Sequence, residues 1–582
     1  MTEQQIKKYI TLSVILAALG GSFLYSPSWL QLCYGLALFL FGMQCIEEGL
    51  RSAAGGKLER WMSQSTATPS KGLFFGMAAT FILQSSTLVS LLTIAFLSTG
   101  MITLAGGIAI ILGTNLGATS GIWLLALAGQ SISLSAAAMP MLVFGTLMHL
   151  TGERSKIFGR VLIGVALILI GIDAIRDGFQ AFGAGIDFSR TQIGGMAETL
   201  AFFAVGFLLT VVLQSSHATL LLTLAALGGG QINLMQGFAI AVGSNVGSSA
   251  TTALVGMVGS DRNGKRLALA HAIFNIVTAL TSLLMWLPLT RAVTYIAGRM
   301  GMGPLLQLAL FHTLFNLLGV LMFWKAQNFL AELLMSRLPD DETERKSTGQ
   351  DSDADRPRYL QSNVLLSGDT ALAAIEKEIA HLNEIGMEVM CGALFVPVGK
   401  LYGGNDDEGR NLPPLRPPLE LDVPQLYEKR VKPLYSAILD FTKGLETANE
   451  AQQQRLARCY NSAWLMVEIV NESKNLQKNM LQYLLYSDSP VTRDYQRLRR
   501  HVFKTLRLFR HIADLPAGEE RQEWLNKLTA HTETLDTFRG RVMVKLRNNE
   551  INGWQTSSLL NDINYARRIG RGAAAILGQN RD

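Results

Sequence analysis

Long apolar runs fill the first 336 positions of the chain, whereas shorter apolar stretches alternate with charged residues in the rest. About 20 apolar residues cross a bilayer, so the longest runs are candidate membrane crossings. Eight such runs lie near residues 10–26, 32–50, 101–128, 136–151, 160–176, 232–258, 267–290 and 305–327. Residues 1–336 are therefore predicted to form an integral membrane domain.

Two further apolar runs, 72–98 and 197–228, carry the same polar triplet, in "QSSTLVSLLT" from Gln84 and "QSSHATLLLT" from Gln214. Basic residues prefer the cytoplasmic side of short loops. Eight crossings keep every basic cluster inside only if each triplet run enters and leaves the membrane on one side. Two re-entrant hairpins are thus predicted. The clusters are Lys7/Lys8, Arg51/Lys57/Arg60/Lys71, Arg154/Lys156/Arg160, Arg262/Lys265/Arg266 and the residues after Arg337.

The chain repeats itself across the membrane domain. Aligned without a gap from Gln84 and Gln214, 17 of 34 positions are identical, and both copies end in a related element, "GTNLG" or "GSNVG". The preceding "LFLFGMQCIEEG" is echoed by "LILIGIDAIRDG", so the repeats cover about residues 32–128 and 160–258. Three crossings separate the triplets, which inverts one repeat relative to the other. Inverted repeats are typical of secondary transporters.

A polar, charged stretch at 337–364 is predicted to be a flexible linker. Amphipathic spacing in residues 365–582 predicts a cytoplasmic helical bundle. Its helices are expected near 368–391, 425–447, 451–486, 491–513, 518–548 and 553–577. The fold class is therefore all-α, a polytopic membrane protein with about eight transmembrane helices, two re-entrant hairpins and a soluble bundle.

Charge is distributed very unevenly along the chain. The first 336 residues hold 17 Lys/Arg and 11 Asp/Glu, and no charged residue occurs in stretches of 81 and 62 residues around the two triplets. Those stretches contain no carboxylate pair, Cys–His pair or activated nucleophile, so an enzyme is not expected. The four cysteines show no paired spacing. No nucleic-acid partner is predicted.

The triplets have features that bind anions. Serine suits a helix N-cap, and a half-helix beginning near Ser86 or Ser216 would direct free N–H groups and the positive end of its dipole at the tip. Phosphate is a common ligand of such helix ends. Hydroxyls and the glutamine amides are expected to add neutral donors.

The second repeated element, "GTNLGATS" from Gly113 and "GSNVGSSA" from Gly243, lies in unusually long spans. Glycine is expected to interrupt these helices mid-membrane and to free carbonyls that, with nearby oxygen atoms, bind a small cation. A packing role alone is the alternative, because both copies are GxxxG pairs. The side chains concerned are Thr114, Asn115, Thr119, Ser244, Asn245 and Ser248.

Two similar segments, "HAIFN" from His271 and "HTLFN" from His312, place His and Asn on one helix face. Each pair either joins a polar network near the site or only hydrogen-bonds neighbouring helices, and the second reading is favoured. Glu47, Glu48 and Asp173 lie near span ends and are assigned no transport role, so the site is expected to hold no fixed charge.

Paired QSS motifs, each followed by a G-[TS]-N-x-G-[ATS] element in an inverted repeat, resemble the sodium-dependent phosphate cotransporter family over about residues 30–330. The resemblance implies coupled movement of sodium and inorganic phosphate, with sodium as the coupling ion and no organic cofactor. It implies phosphate contacts at Gln84, Ser85, Ser86, Gln214, Ser215 and Ser216, and sodium contacts at Thr114, Asn115, Ser244 and Asn245. Supporting positions are Thr87, His271, Asn275, His312 and Asn316.

The chain departs from the animal members of that family, which have a serine after QSS. Thr87 keeps a hydroxyl there, but His217 does not. The long outer loop with a disulfide is absent, which is consistent with a bacterial inner-membrane protein, and both termini are expected in the cytoplasm. The C-terminal segment resembles a PhoU-type domain, and no metal ligands are assigned to it.

Sodium-coupled phosphate transport, regulated by the PhoU-like domain, is the expected function. The alternatives are a carrier for another oxyanion and a phosphate-sensing membrane scaffold that moves nothing. Besides the lipid bilayer, the expected partners are a second copy of the chain or a cytoplasmic phosphate-signalling protein bound through the bundle.

Overall fold

A computed structural model gives the fold over the residues that it describes. These are 3–54, 61–62, 65, 68–128, 135–182, 194–259, 262–339, 357–360, 364–365, 367–402, 412, 423–445, 450–485 and 489–579. Lys57, Arg60 and most of the predicted linker 337–364 lie outside them. The described residues form helices and their connections, which confirms the all-α prediction. The chain separates into two compact units, Met1–Asp340 and Asp341–Asp582.

The membrane unit follows the predicted repeat. Its first helices are α1 (Glu3–Tyr25), α2 (Pro27–Ala54), α3 (Pro69–Leu83), α4 (Ser86–Ser98), α5 (Leu104–Ala128) and α6 (Ser135–Leu150). They are followed by α7 (Glu153–Phe182), α8 (Gly195–Leu213), α9 (Ser216–Gly228), α10 (Leu234–Gly259), α11 (Arg262–Leu284), α12 (Trp286–Met300), α13 (Pro304–Phe323) and α14 (Gln327–Arg337). Helices α2, α3, α4 and α5 of the first repeat correspond, in this order, to α7, α8, α9 and α10 of the second repeat.

Within the described part, seven helices are long and apolar enough to cross a membrane: α2, α5, α7, α8, α10, α11 and α13. The predicted spans in α1 and α6 contain only shorter apolar helices, Leu16–Tyr25 and Ala136–Leu150. The predicted span 267–290 was wrong at its end, because α11 stops at Leu284. Pro288 lacks an N–H and would clash with the carbonyl of Leu284, so a new helix begins.

Both triplets lie between two helices. In the first hairpin α3 has 15 residues and α4 has 13. At 1.5 Å per residue each rises roughly 20 Å, less than the roughly 30 Å of a hydrocarbon core. Each arm of the first hairpin is thus too short to cross a membrane by itself, as a re-entrant hairpin requires. The second hairpin has arms of 19 and 13 residues, and its first arm, α8, is long enough to cross a membrane, so the length argument applies to the first hairpin only.

Helices α2 and α7, which are counterparts in the repeat, pack against each other through glycines. A Cβ atom at Gly35 would lie 2.8 Å from the Gly171 carbonyl oxygen, and one at Gly42 would lie 2.7 Å from that of Gly164. Further along, Gly49 faces Ile157. Rising numbers on α2 meet falling numbers on α7, so the counterparts run antiparallel. This is the inversion that the sequence predicted.

The long helix of each repeat packs equally closely on the first arm of its own hairpin. A Cβ atom at Gly113 of α5 would overlap the carbonyl oxygen of Leu73 in α3. At the corresponding place in the second repeat, a Cβ atom at Gly243 of α10 would overlap that of Phe203 in α8. The GxxxG glycines therefore have a packing role, which holds each hairpin against a long helix.

The C-terminal unit consists largely of long helices, close to their predicted positions. They are α15 (Gly368–Ala393), α16 (Lys432–Thr442), α17 (Glu450–Leu485), α18 (Thr492–Asp514), α19 (Glu519–Arg547) and α20 (Gly553–Gln579). A π-helical turn, Tyr427–Val431, leads directly into α16. Apolar residues from α15 to α20 share one buried core, as the amphipathic spacing predicted.

One polar cluster lies inside this core. The carboxyl group of Asp562 accepts hydrogen bonds from the Tyr495 hydroxyl at 2.6 Å and from the Asn479 amide at 3.0 and 3.2 Å. Asp562 and Tyr495 are both fully buried. The cluster joins α17, α18 and α20, and burial raises the pKa of Asp562 to about 6 although its two hydrogen-bond donors favour the charged form.

Candidate functional site

The tip of the first hairpin is a tight, non-glycine turn. Gln84 has left-handed dihedrals, φ 52° and ψ 24°, and its N–H donates to the Thr80 carbonyl at 2.8 Å. Ser85 is extended, and its hydroxyl accepts the N–H of Leu88 at 3.2 Å, so α4 begins at Ser86. The predicted serine cap is confirmed.

The second tip repeats this geometry. Gln214 has φ 52° and ψ 25°, and the Ser215 hydroxyl accepts the N–H of Ala218 at 3.2 Å. Left-handed backbone is uncommon for glutamine and persists only where its surroundings enforce it. Because it occurs at equivalent positions in both repeats, the two tips share one backbone conformation. Each tip presents the unpaired N–H groups of a helix N-terminus.

The side chain of Gln84 is oriented differently from the prediction. Its amide nitrogen donates to the Phe81 carbonyl at 2.5 Å and to the Ser120 hydroxyl at 3.3 Å. A carbonyl only accepts hydrogen bonds, so this contact fixes which amide atom is nitrogen. Gln84 therefore offers its Oε1 atom as an acceptor, and the expectation of an amide donor at this position was wrong. Gln214 is exposed.

The two hairpins come together at Gly121 of α5. A Cβ atom at Gly121 would overlap the imidazole of His217, which belongs to the second hairpin, and would lie 3.0 Å from Gln84 Oε1 of the first. Because Gly121 has no side chain, these two polar groups approach the same point. Sequence reasoning assigned neither Gly121 nor His217 to the site, since only the fold brings them near Gln84.

The first GTN element lies in an unbroken helix. Thr114 Oγ1 and Asn115 Nδ2 both donate to the Ile111 carbonyl, at 2.8 and 3.0 Å, and Thr119 Oγ1 donates to Leu116 at 2.8 Å. The expected interruptions at the glycines were wrong for α5 and for α10 alike. These glycines allow neighbouring helices to pack closely, and they do not interrupt their own helices.

The second element differs in its partners. Ser244 Oγ donates within α10 to Ala241 at 2.9 Å, but Asn245 Nδ2 donates to Asn275 Oδ1 at 2.8 Å and to Asn316 Oδ1 at 3.0 Å. Three asparagines from α10, α11 and α13 thus form one buried network. Two amide oxygens thus converge on one amide nitrogen, which leaves the Oδ1 atom of Asn245 as its own remaining acceptor.

Other predicted residues lie around these groups. Asn275 and Asn316 use their own amide nitrogens on the carbonyls of His271 and His312, one turn earlier. The Ser248 side chain is half-buried, whereas Ser249, the counterpart of Thr119 in the ungapped repeat, is 1% exposed and was missed. Ser86, Ser216 and Thr87 are half-buried at the hairpin tips.

A carboxylate also lies at the first tip. The carboxyl group of Glu47 in α2 lies near enough to the Ser85 hydroxyl to interact with it electrostatically, while the adjacent Glu48 pairs with Arg160. A carboxyl group thus lies beside a tip that was expected to contain no fixed charge. Sequence spacing gave no sign of this contact, because Glu47 belongs to the helix before the hairpin and reaches Ser85 only through packing.

Comparison with known proteins gives the membrane unit a family. The family model described as "Na+/Pi-cotransporter" matches residues 38–177 and 179–313. "Putative inorganic phosphate export protein YjbB" of Escherichia coli strain K12 is 23% identical over 62% of this chain and 64% of its own length. No solved structure matches the chain.

Two further relatives differ in how much they share. "Uncharacterized protein YqeW" of Bacillus subtilis is 28% identical over 313 residues, which are 52% of this chain and 96% of that protein. "Sodium-dependent phosphate transport protein 2A" of Oryctolagus cuniculus is 31% identical over 134 residues, 22% of this chain and 21% of that protein. The first of these relatives is hardly longer than the stretch it shares.

Proposed function

The membrane unit belongs to the Na+/Pi-cotransporter family, and from this premise we propose that the protein couples the movement of inorganic phosphate to that of sodium across a bacterial inner membrane. The family is one of transporters, so no chemical conversion of the substrate is proposed. The matched pair of capped glutamine–serine tips carries the proposal, because it gives two anion-binding helix ends within one repeat fold.

Electrostatics supplies the reason for coupling. Phosphate at pH 7 carries between one and two negative charges, yet neither stretch around the tips contains Lys or Arg. We propose that Glu47, beside Ser85, adds a further negative charge. An anion buried without a compensating charge is very costly, so cations must accompany phosphate. Neutral oxygen atoms of the GTN and GSN elements are proposed to hold sodium, with Thr114, Asn115, Ser244 and Asn245 as ligands.

Phosphate binding to purified protein, titrated against sodium, tests the proposal. Each ion must raise the affinity of the other by the same factor, because binding linkage is reciprocal. We expect phosphate affinity to fall at least tenfold when choline replaces sodium at constant ionic strength. Unchanged phosphate affinity in choline would overturn sodium coupling.

The variant Glu47→Gln tests the role of the carboxylate. Removing a negative charge next to Ser85 should lower the sodium concentration needed for half-maximal phosphate binding several-fold, since less positive charge has to be supplied. Glu48→Gln is the matched control, because that carboxylate is paired with Arg160. A sodium requirement that is the same in both variants would exclude Glu47 from the coupling.

Regulation by the C-terminal unit, as a PhoU-like domain in the cytoplasm, is also part of the proposal. The name of the Escherichia coli relative says export. A coupled carrier runs in the direction that its gradients dictate, so we propose that net direction is set by the cell. The phosphate content of cells that overproduce the protein would distinguish uptake, which raises it, from export, which lowers it.

A further inference from the structure

His217 is a buried polar side chain at the second hairpin tip. It is the second residue of α9 and is 8% exposed. Among the described residues its Nε2 atom has no hydrogen-bond partner. In the first repeat the corresponding position is Thr87, so the two tips differ at the position directly after the identical triplets.

The unpartnered nitrogen is directed at the point where the hairpins meet. It lies against Gly121, beside Gln84 Oε1. Both amide hydrogens of Gln84 already have acceptors, Phe81 and Ser120, so the atom of this amide that can still form a hydrogen bond is the acceptor Oε1. Imidazole and amide nevertheless make no hydrogen bond to each other. A third group that bonds to both would satisfy them.

A polar atom that is buried without a hydrogen-bond partner destabilises the structure that holds it. The backbone N–H groups of Ser216 and His217 are the first two of α9 and have no partner within that helix. A group that satisfies both side chains must accept a hydrogen bond from the imidazole N–H and donate one to Gln84, and a helix N-terminus next to it can add further N–H donors. A hydrogen phosphate does both, because it carries P–O⁻ acceptors and a P–OH donor.

We propose that His217 and Gln84 together select a protonated oxyanion, with Gln84 Oε1 accepting the P–OH proton and the Nε2–H of His217 donating to a phosphoryl oxygen. This inference rests on the proposed function and names the residues that determine specificity. Sulfate has no hydroxyl at pH 7, so its bare oxygen would face the Gln84 oxygen. A site built around a substrate hydroxyl rejects analogues that lack it far more strongly than a site that senses size alone. Arsenate keeps the hydroxyl and should be accepted.

Competition against radiolabelled phosphate, in equilibrium binding to the purified full-length protein with saturating sodium, tests this. In the wild type, arsenate should compete at concentrations similar to phosphate, and sulfate should need at least a hundredfold more. His217→Leu should weaken phosphate binding at least tenfold and reduce the difference between the concentrations of sulfate and of arsenate that are needed to compete with phosphate. His217→Gln retains a neutral donor and should preserve most of the discrimination.

Gln231→Leu is the matched control. Gln231 follows the same hairpin, is buried and has an unpartnered Oε1 among the described residues, but it lies away from the tips. Its removal should leave the sulfate-to-arsenate ratio unchanged. Normal phosphate binding with unaltered sulfate exclusion in His217→Leu would overturn this inference alone. Failure of the wild type to bind phosphate would instead overturn the proposed function, and this inference with it.

Discussion

The buried carboxyl group of Asp562 makes the stability of the C-terminal unit depend on pH. Burial raises its pKa from 3.8 to about 6. The folded chain thus holds the proton more tightly than the unfolded chain, and stability falls as pH rises from about 4 to about 6. A shift of this size corresponds to about 3 kcal/mol over the whole interval.

Asp562→Asn should remove this dependence. Between pH 5 and pH 7 the opening free energy of α20 should fall by about 1 kcal/mol in the wild type and stay level in the variant. Hydrogen exchange of α20 peptides in the full-length protein, corrected for intrinsic rates, measures it. Asp536→Asn is the control, because that carboxylate is mostly exposed and pairs with Arg567. A wild-type α20 whose stability is flat over this range would contradict the argument.

Whether a feature of a single residue could be predicted depends on how far away in the sequence its contact partners lie. The caps at Ser85 and Ser215 were predictable, since an N-cap depends on residues within one turn of the serine. The contacts of Ser85 with Glu47 and of Gln84 with Ser120 were not, because each joins helices far apart in sequence. His217 stood out in the sequence only as a departure from the family pattern; its neighbour Gly121 required the fold.

At the scale of helices, the close packing of α5 on α3 at Gly113 and of α10 on α8 at Gly243 can be tested by substitution. Each glycine lies against a backbone carbonyl of its hairpin arm, so a valine there must push the arm away. Gly113→Val and Gly243→Val should each destabilise the membrane unit by about 1–3 kcal/mol, and by similar amounts. Thermal unfolding of the detergent-solubilised protein would measure the loss.

Gly298→Val in α12 provides the comparison. A Cβ atom there meets nothing within 4 Å, and valine has a higher helix propensity than glycine, so stability should be unchanged or slightly higher. Equal tolerance of valine at Gly113 and Gly298 would be incompatible with the packing described above.

Helix positions were largely predictable, because apolar runs and amphipathic spacing reflect burial directly. Helix ends were less so: α11 stops at Leu284, and α12 and α14 did not stand out as separate helices. The effect of glycine was predicted wrongly in α5 and α10. A glycine either breaks a helix or lets another backbone approach it, and only the neighbouring hairpin arm decides between the two.

For the full chain, the two units suggest that transport does not need the C-terminal one. A chain ended after Asp340 should insert, bind phosphate and keep its sodium dependence, while its regulation changes. Phosphate flux into proteoliposomes would measure transport, and loss of flux from a correctly inserted truncation would make the C-terminal unit part of the transport path.

A second truncation that ends three residues earlier, after Arg337, should be compared with the truncation after Asp340. The Leu338 carbonyl accepts hydrogen bonds from buried Arg266 at 2.9 and 2.5 Å. Removing Leu338 takes away this acceptor of a charged side chain and should lower thermal stability by several degrees relative to the longer truncation. Equal stability of the two truncations would show that this contact contributes little.

The contact between α2 and α7 also bears on ancestry. Gly35 meets Gly171 and Gly42 meets Gly164, and the repeat makes Gly35 the counterpart of Gly164 and Gly42 that of Gly171. One surface is used twice, as in the isologous interface of two identical subunits about a two-fold axis. Each half therefore carries the whole recognition surface for an oppositely inserted copy of itself. Two separate copies of one half, inserted in opposite orientations, could form the same contact, so the chain is arranged like a dimer of two such halves joined in one polypeptide.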